Sequence, residues 1–279
     1  MIIKKNLVLN TANKKPILYD LYYYKSGEPL PLVIFSHGYK GFKDWGAWNL
    51  VAEAFAEAGF CFIKFNFSHN GGTMEQPIDF PDLEAFAENN FSLELDDLNR
   101  VLNGIEDNEM NLEQLVSKVY LIGHSRGGGT VLIKAQEDSR IDRVVTWAGV
   151  SDFKSRFHEN SPEFENWKNS GITYVENSRT KQQLPHHFQF YEDFKRHEER
   201  YTISRAVKNL KIPYLIVQGE DDATVTLSEA RKLHGWNPTS KLEVIPSGDH
   251  VFGAVHPWKE STLPENLRKV VDKTIDFLK

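Results

Sequence analysis

The sequence predicts an α/β chain built on a doubly wound, mostly parallel sheet, with antiparallel strands in front of it and one long insertion. Three observations carry this. Short continuous apolar runs at residues 32–35, 60–65 and 119–122 read as strands buried on both faces, which a parallel sheet between two helix layers requires. Amphipathic helical stretches alternate with these runs. The third run leads into Gly123-His124-Ser125-Arg126-Gly127 and then Thr130-Val131-Leu132-Ile133: a strand, a sharp turn with a serine at its apex, and a helix.

Residues 2–9 and 17–24 are apolar stretches separated by a polar turn that ends at Pro16, and they read as a hairpin. The strand at 32–35 ends at Ser36-His37-Gly38, after which Trp48, Val51, Phe55 and Ala58 recur at helical spacing until Gly59. The next strand, 60–65, runs into a polar loop at 66–72. Phe91, Leu95, Leu98, Leu102 and Ile105 then mark an amphipathic helix. Beyond the serine turn and its helix, strands are predicted at 143–147, 213–218 and 242–245, a helix around 227–233, and a closing helix through Leu267, Val271, Ile275 and Leu278.

Residues 151–210 break this rhythm. They show no clear strand-helix unit, only polar residues interleaved with aromatics such as Phe153, Phe157, Phe164, Trp167 and Phe190. An insertion of that length after a strand's carboxyl end falls over the ligand face of such a sheet, so it reads as a lid within one domain spanning 1–279. The alternative is that the aromatics only staple the insertion to the body.

At 279 residues and 40% hydrophobic, the chain can bury one large core. A formal charge of −6 without clusters of lysine or arginine argues against a nucleic-acid partner. Cys61 is the only cysteine and sits in an apolar run, which excludes a disulfide within the chain and a thiolate metal site. The start lacks a signal-type apolar stretch and nothing later approaches a membrane span, so a cytoplasmic location is expected. Gly127-Gly128-Gly129 fits neither a P-loop nor a dinucleotide fingerprint, and His186-His187 has no carboxylate at ligand spacing. No cofactor and no metal are expected.

A serine hydroxyl is a weak nucleophile and needs a base, and the base needs an acid to orient it. Both lie downstream, after two late strands: Gly219-Glu220-Asp221-Asp222-Ala223-Thr224-Val225 and Pro246-Ser247-Gly248-Asp249-His250. Asp221, Asp222, Asp152 and Asp249 are candidate acids, although Asp249 adjoins His250 and is poorly placed to orient it. Ser68-His69 are adjacent, make an implausible nucleophile and base, and read as part of a loop. The backbone N–H of Arg126 is one candidate donor to a developing oxyanion.

With these motifs in their places, the chain resembles the α/β-hydrolase-fold serine hydrolases over nearly its whole length. The resemblance implies that Ser125 is the nucleophile and that Gly219-x-x-Asp222-x-x-Val225 carries the acid, Asp222. It implies that His250, in its Gly-Asp-His turn, is the base, leaving His186, His187, His234 and His256 as surface or lid residues. Ser36-His37-Gly38-Tyr39-Lys40-Gly41 is similar to the family's oxyanion loop, which makes Tyr39 the second donor beside Arg126 and His37 a structural brace. For the Arg126 side chain the expectation is a salt bridge behind the turn. The activity that the resemblance implies is that of a cofactor-independent esterase acting on a small-molecule carboxylic ester, similar to cinnamoyl and feruloyl esterases and dienelactone-hydrolase-like proteins. A serine aminopeptidase and a non-catalytic binding protein on the same fold stay open.

Overall fold

The computed structural model describes residues 1–112 and 116–279. In chain order, β1 (Ile2–Leu9), β2 (Ile17–Tyr23) and β3 (Leu30–Ser36) precede α1 (Trp48–Glu57), β4 (Cys61–Phe65), α2 (Leu83–Glu88) and α3 (Phe91–Glu106). Then come β5 (Val116–His124), α4 (Arg126–Glu137) and β6 (Arg143–Trp147). After a 3₁₀ turn at Lys154–Phe157, the insertion holds α5 (Pro162–Ser170), β7 (Ile172–Glu176), β8 (Gln183–His187), α6 (Gln189–Arg196), α7 (Glu198–Tyr201) and α8 (Ile203–Asn209). The chain closes with β9 (Tyr214–Gly219), α9 (Leu227–Trp236), β10 (Lys241–Ile245) and α10 (Glu265–Leu278).

Eight strands form one sheet in the order β1-β2-β4-β3-β5-β6-β9-β10. β1 and β2 are antiparallel, β2 joins β4 antiparallel, and every pair from β4 to β10 is parallel. The chain steps from β3 to β4 on one side and to β5 on the other. Such a reversal opens a crevice at the carboxyl ends of the strands, where ligands of doubly wound sheets bind.

The helices cover both faces. On one, Trp48, Val51 and Phe55 of α1 and Leu267, Val270 and Val271 of α10 pack with Phe35, Phe62 and Trp147. On the other, Leu95 and Leu98 of α3, Val131 and Leu132 of α4, Ile203 and Val207 of α8 and Ala230 of α9 share a core with Leu32, Ile34 and Leu121. Trp147 is fully buried, and its indole N–H donates to the Thr274 hydroxyl at 3.0 Å, so the polar atom is satisfied.

The insertion is more regular than its sequence suggests. β7 and β8 make a two-stranded antiparallel ribbon, and Ser161 caps α5 by accepting from the Phe164 N–H, with Pro162 in the first turn. Its final helix, α8, packs on α4 and α9 as an ordinary crossover helix between β6 and β9. α2 has no counterpart in the sequence expectation, and neither do the regular elements of the insertion, the β7–β8 ribbon and helices α5 to α8.

Candidate active site

Four loops meet at the carboxyl edge of the sheet, following β3, β5, β9 and β10. The turn after β5 is the tightest. Ser125 has φ 56° and ψ −119°, an unfavourable conformation for a residue with a side chain, and it precedes the first turn of α4. Neighbouring glycines make room for it: a Cβ on Gly123 would lie 2.3 Å from the carbonyl oxygen of Gly127, and one on Gly127 would lie 2.4 Å from that of Ser36. The Ser125 N–H donates to the Trp147 carbonyl at 3.0 Å, which ties the turn to the next strand.

Nε2 of His250 lies 3.0 Å from Oγ of Ser125, and Nδ1 of His250 lies 2.9 Å from Oδ2 of Asp222. A carboxylate only accepts, so Nδ1 carries the proton and Nε2 is left to take one from the serine. Asp222 is buried, and its Oδ1 accepts from the N–H groups of Thr224 and Val225 at 2.8 and 2.9 Å. Gln218 donates to Oδ2 at 3.0 Å. Burial pushes this carboxyl up, but His250 and the two N–H donors outweigh it and hold Asp222 below the usual carboxylate range.

The rival acids lie elsewhere in their turns. Asp221 is exposed. Asp249 accepts from the N–H groups of Val251 and Gly253, and Asp152 from those of Lys154 and Ser155. The other histidines also have local partners. His256 accepts from the Gly46 N–H at 2.9 Å, and His234 meets the Ser240 hydroxyl at 2.9 Å. Ser68 Oγ lies 2.8 Å from Nδ1 of His69 in the loop after β4.

His37 behaves as a brace. Its Nδ1 lies 2.9 Å from the Gly38 carbonyl, and its Nε2 accepts from the Phe67 N–H at 3.4 Å. Burial pushes it down to about 4, so it is neutral. Below this loop lies a buried square of charge that the sequence did not suggest: Lys43 and Lys64 each contact both Asp20 and Asp44, at 2.5 to 2.8 Å. Burial pushes Asp44 up, but the two lysines outweigh it and keep it ionised. The signal was present as opposite charges, Asp20 and Lys64, inside two otherwise apolar strands.

His124 is a second residue without a sequence signal. Its Nε2–H donates to the carbonyl of His250 at 2.9 Å, and burial pushes it down to about 3. The Tyr39 hydroxyl meets Nε2 of His186, from β8, at 2.7 Å. Burial drives Tyr39 up to about 12 and His186 down to about 3, so both are neutral. Arg126 reaches Glu94 at 3.4 Å, as a salt bridge was expected to, but its guanidinium also lies over Tyr39, 4.4 Å from the ring centre.

His187 does have carboxylate company, contrary to the sequence expectation. Glu84 and Glu88 come from α2, and the ligand atoms of all three residues lie within 4.8 Å of one another, with His187 Nδ1 at 2.7 Å from Glu88. Sequence spacing concealed this because the partners are 99 residues apart. Both glutamates are exposed, and the pair reads as a surface contact between α2 and β8.

Two cavities open on Ser125. One, of about 590 Å³, is walled by aromatics of the insertion, among them Phe153, Phe157, Phe164, Trp167 and Phe190. The other, of about 490 Å³, is lined by Trp45, Trp48, Arg179, His250 and His256. Ser125 and Tyr39 border both.

A strained serine between strand and helix, with a histidine and an aspartate from later loops in hydrogen-bond contact, defines a class. The sequence profile of the α/β hydrolase fold matches residues 31–201, more than half of the chain, and the chain belongs to that family. Among solved structures it is similar to Est1E from Butyrivibrio proteoclasticus, at 16% identity over 99% of this chain and 98% of that one, with a TM-score of 0.73. Est1E has also been solved with ferulic acid bound. Dienelactone hydrolase from Anabaena variabilis is 17% identical over 99% and 97% of the two chains, with a TM-score of 0.64. Acylaminoacyl peptidase from Pyrococcus horikoshii is 14% identical, with a TM-score of 0.66, over 99% of this chain and 41% of that one. At such identities the likeness is one of fold. No curated protein matches the chain by sequence. Among the described residues, no helix is long and apolar enough to cross a membrane.

Proposed function

We propose that the protein is a serine hydrolase that cleaves a carboxylic ester through an acyl-enzyme. The family supports a hydrolase, and the unbroken contact from Ser125 through His250 to Asp222, at 3.0 and 2.9 Å, carries the finer reading. Ser125 Oγ attacks the ester carbonyl while His250 Nε2 takes its proton, and Asp222 stabilises the imidazolium that results. The negative charge that develops on the carbonyl oxygen falls to the backbone N–H groups of Tyr39 and Arg126. The latter begins a helix, where the first N–H groups have no partner within the helix. Collapse expels the alkoxide, which takes the proton from His250, and a water activated by the same histidine then releases the acid.

In this reading the acyl group occupies the aromatic cavity, the alcohol occupies the cavity bordered by Trp45 and Arg179, and residues 151–210 form the lid over both. A fluorophosphonate that labels active serines tests the nucleophile, with Ser125→Ala as control. The native protein should be labelled and the variant should not; an unlabelled native protein would instead be a binding protein on this fold. Turnover of short aryl esters should exceed that of aminoacyl amides, and the reverse order would make the chain an aminopeptidase.

A further inference from the structure

The guanidinium of Arg126 has more donors than partners. Three aromatic rings surround it, with Tyr39 4.4 Å, Phe190 5.1 Å and Phe91 5.7 Å from its central carbon to their centres. Ring faces hold a cation in place without using its N–H groups. Among the described residues its one hydrogen bond is from Nη1 to Oε1 of Glu94, long at 3.4 Å, out of five N–H donors. Glu94 is itself shared, since Oε1 also accepts from Asn89 at 3.0 Å and Oε2 from Thr130 at 3.3 Å.

The side chain is 17% exposed, and it borders the 590 Å³ cavity next to Ser125. The cavity's other guanidinium, Arg156, is occupied by Glu229 and the Thr224 carbonyl. Glu163 also borders the cavity, from an exposed position in the first turn of α5, and His158 is exposed as well. Apolar pockets commonly fix a ligand's orientation with a few placed polar groups, and a planar, stacked guanidinium matches a carboxylate in shape and charge.

We propose that Arg126 is a specificity-determining residue whose guanidinium recognises a carboxylate on the aromatic group that enters this cavity. The ligand class is an aromatic ester that carries an acid. The assignment rests on the reading that the aromatic cavity takes the acyl part of the substrate.

Ser125→Ala protein binds without turnover, so calorimetry reads the cavity independently of hydrolysis. The probes are monomethyl terephthalate, monomethyl isophthalate and the neutral methyl 4-methylbenzoate. One of the two acids should bind at least about tenfold tighter than the neutral ester, as a charge-assisted pair predicts. Adding Arg126→Met should bring the acid and the neutral ester to equal affinity, and Arg126→Lys, with the charge but without the fork, should fall between. Equal binding of acid and neutral ester by Ser125→Ala, or a preference that survives Arg126→Met, overturns the proposal. An absence of fluorophosphonate labelling would strike the hydrolase reading alone, because the ratio of affinities is measured without catalysis.

Discussion

His124 and His250 meet through both backbone and ring: Nε2 of His124 reaches the His250 carbonyl at 2.9 Å, and the two ring centres are 4.9 Å apart. The residue before the serine therefore holds the loop that carries His250. His124→Phe keeps a ring against Trp48 but loses the N–H. It should lower kcat about tenfold with little change in KM, because the base is less well positioned. His124→Gln restores a donor and should recover most of the loss. Steady-state kinetics on one aryl ester distinguish the two, and equal behaviour of both variants would assign the ring to packing alone.

The choice between neighbouring aspartates is equally direct. Asp222 is buried against His250, whereas Asp221 is exposed. Asp222→Asn should reduce kcat by roughly 10⁴, since an amide neither stabilises the imidazolium nor fixes its tautomer. Asp221→Asn should stay within about twofold, as exposed substitutions usually do. Comparable losses in kcat would assign the acid's work to both residues.

Stability should fall on the acid side. Burial pushes His37 down to about 4, and His124 and His186 down to about 3, whereas the unfolded chain titrates each near 6.5. A depressed folded pKa contributes stability that is fully present above 6.5 and is lost as pH falls toward the folded values. Asp97 acts in the opposite direction. Burial raises it to about 6, so its contribution to stability is present at low pH and is lost as pH rises through 6. Burial also lowers His69 and His256, so five histidines act against the one carboxyl. Free energies of urea unfolding should then fall steadily as the pH drops from 6 to 4.5. A flat profile over that interval would mean that these histidines do not stay neutral in the folded protein.

Lys64→Met leaves Asp20 and Asp44 with Lys43 as their single remaining cation in the square. Removing one member of a buried ionic set strands its partners, at a cost of about 3–5 kcal/mol. The double change Lys64→Met with Asp20→Asn restores neutrality and should regain a good part of that. Urea unfolding of the single and double variants forms the cycle, and additive losses would mean that the charges do not interact.

The sheet was legible because its central strands are buried on both faces: runs such as Leu32-Val33-Ile34-Phe35 admit few other readings. The contact of Ser125 with His250 and Asp222 was legible because each of the three follows a predicted strand in a turn with glycine nearby. The features that escaped are held by tertiary contact or by short elements. The ribbon of β7 and β8 is mostly exposed along β7 and contains Pro185, so neither alternation nor propensity marked it. α2 is six residues long, and its one signal was the cap Asp82, which accepts from the Ala85 N–H. Tyr39 and His186 are 147 residues apart, and no local pattern links a hydroxyl in one loop to an imidazole in another.

The buried square of Asp20, Lys43, Asp44 and Lys64 bears on when the site is assembled. Its two middle members close the same loop that begins at His37 and Gly38, so the segment that presents the Tyr39 N–H is anchored at both ends before any substrate arrives. The loss of chain freedom that ordering this loop entails therefore falls on folding. In the proposed mechanism, substrate binding energy then need not be diverted to arranging the donors, and remains available for orienting the substrate over Ser125.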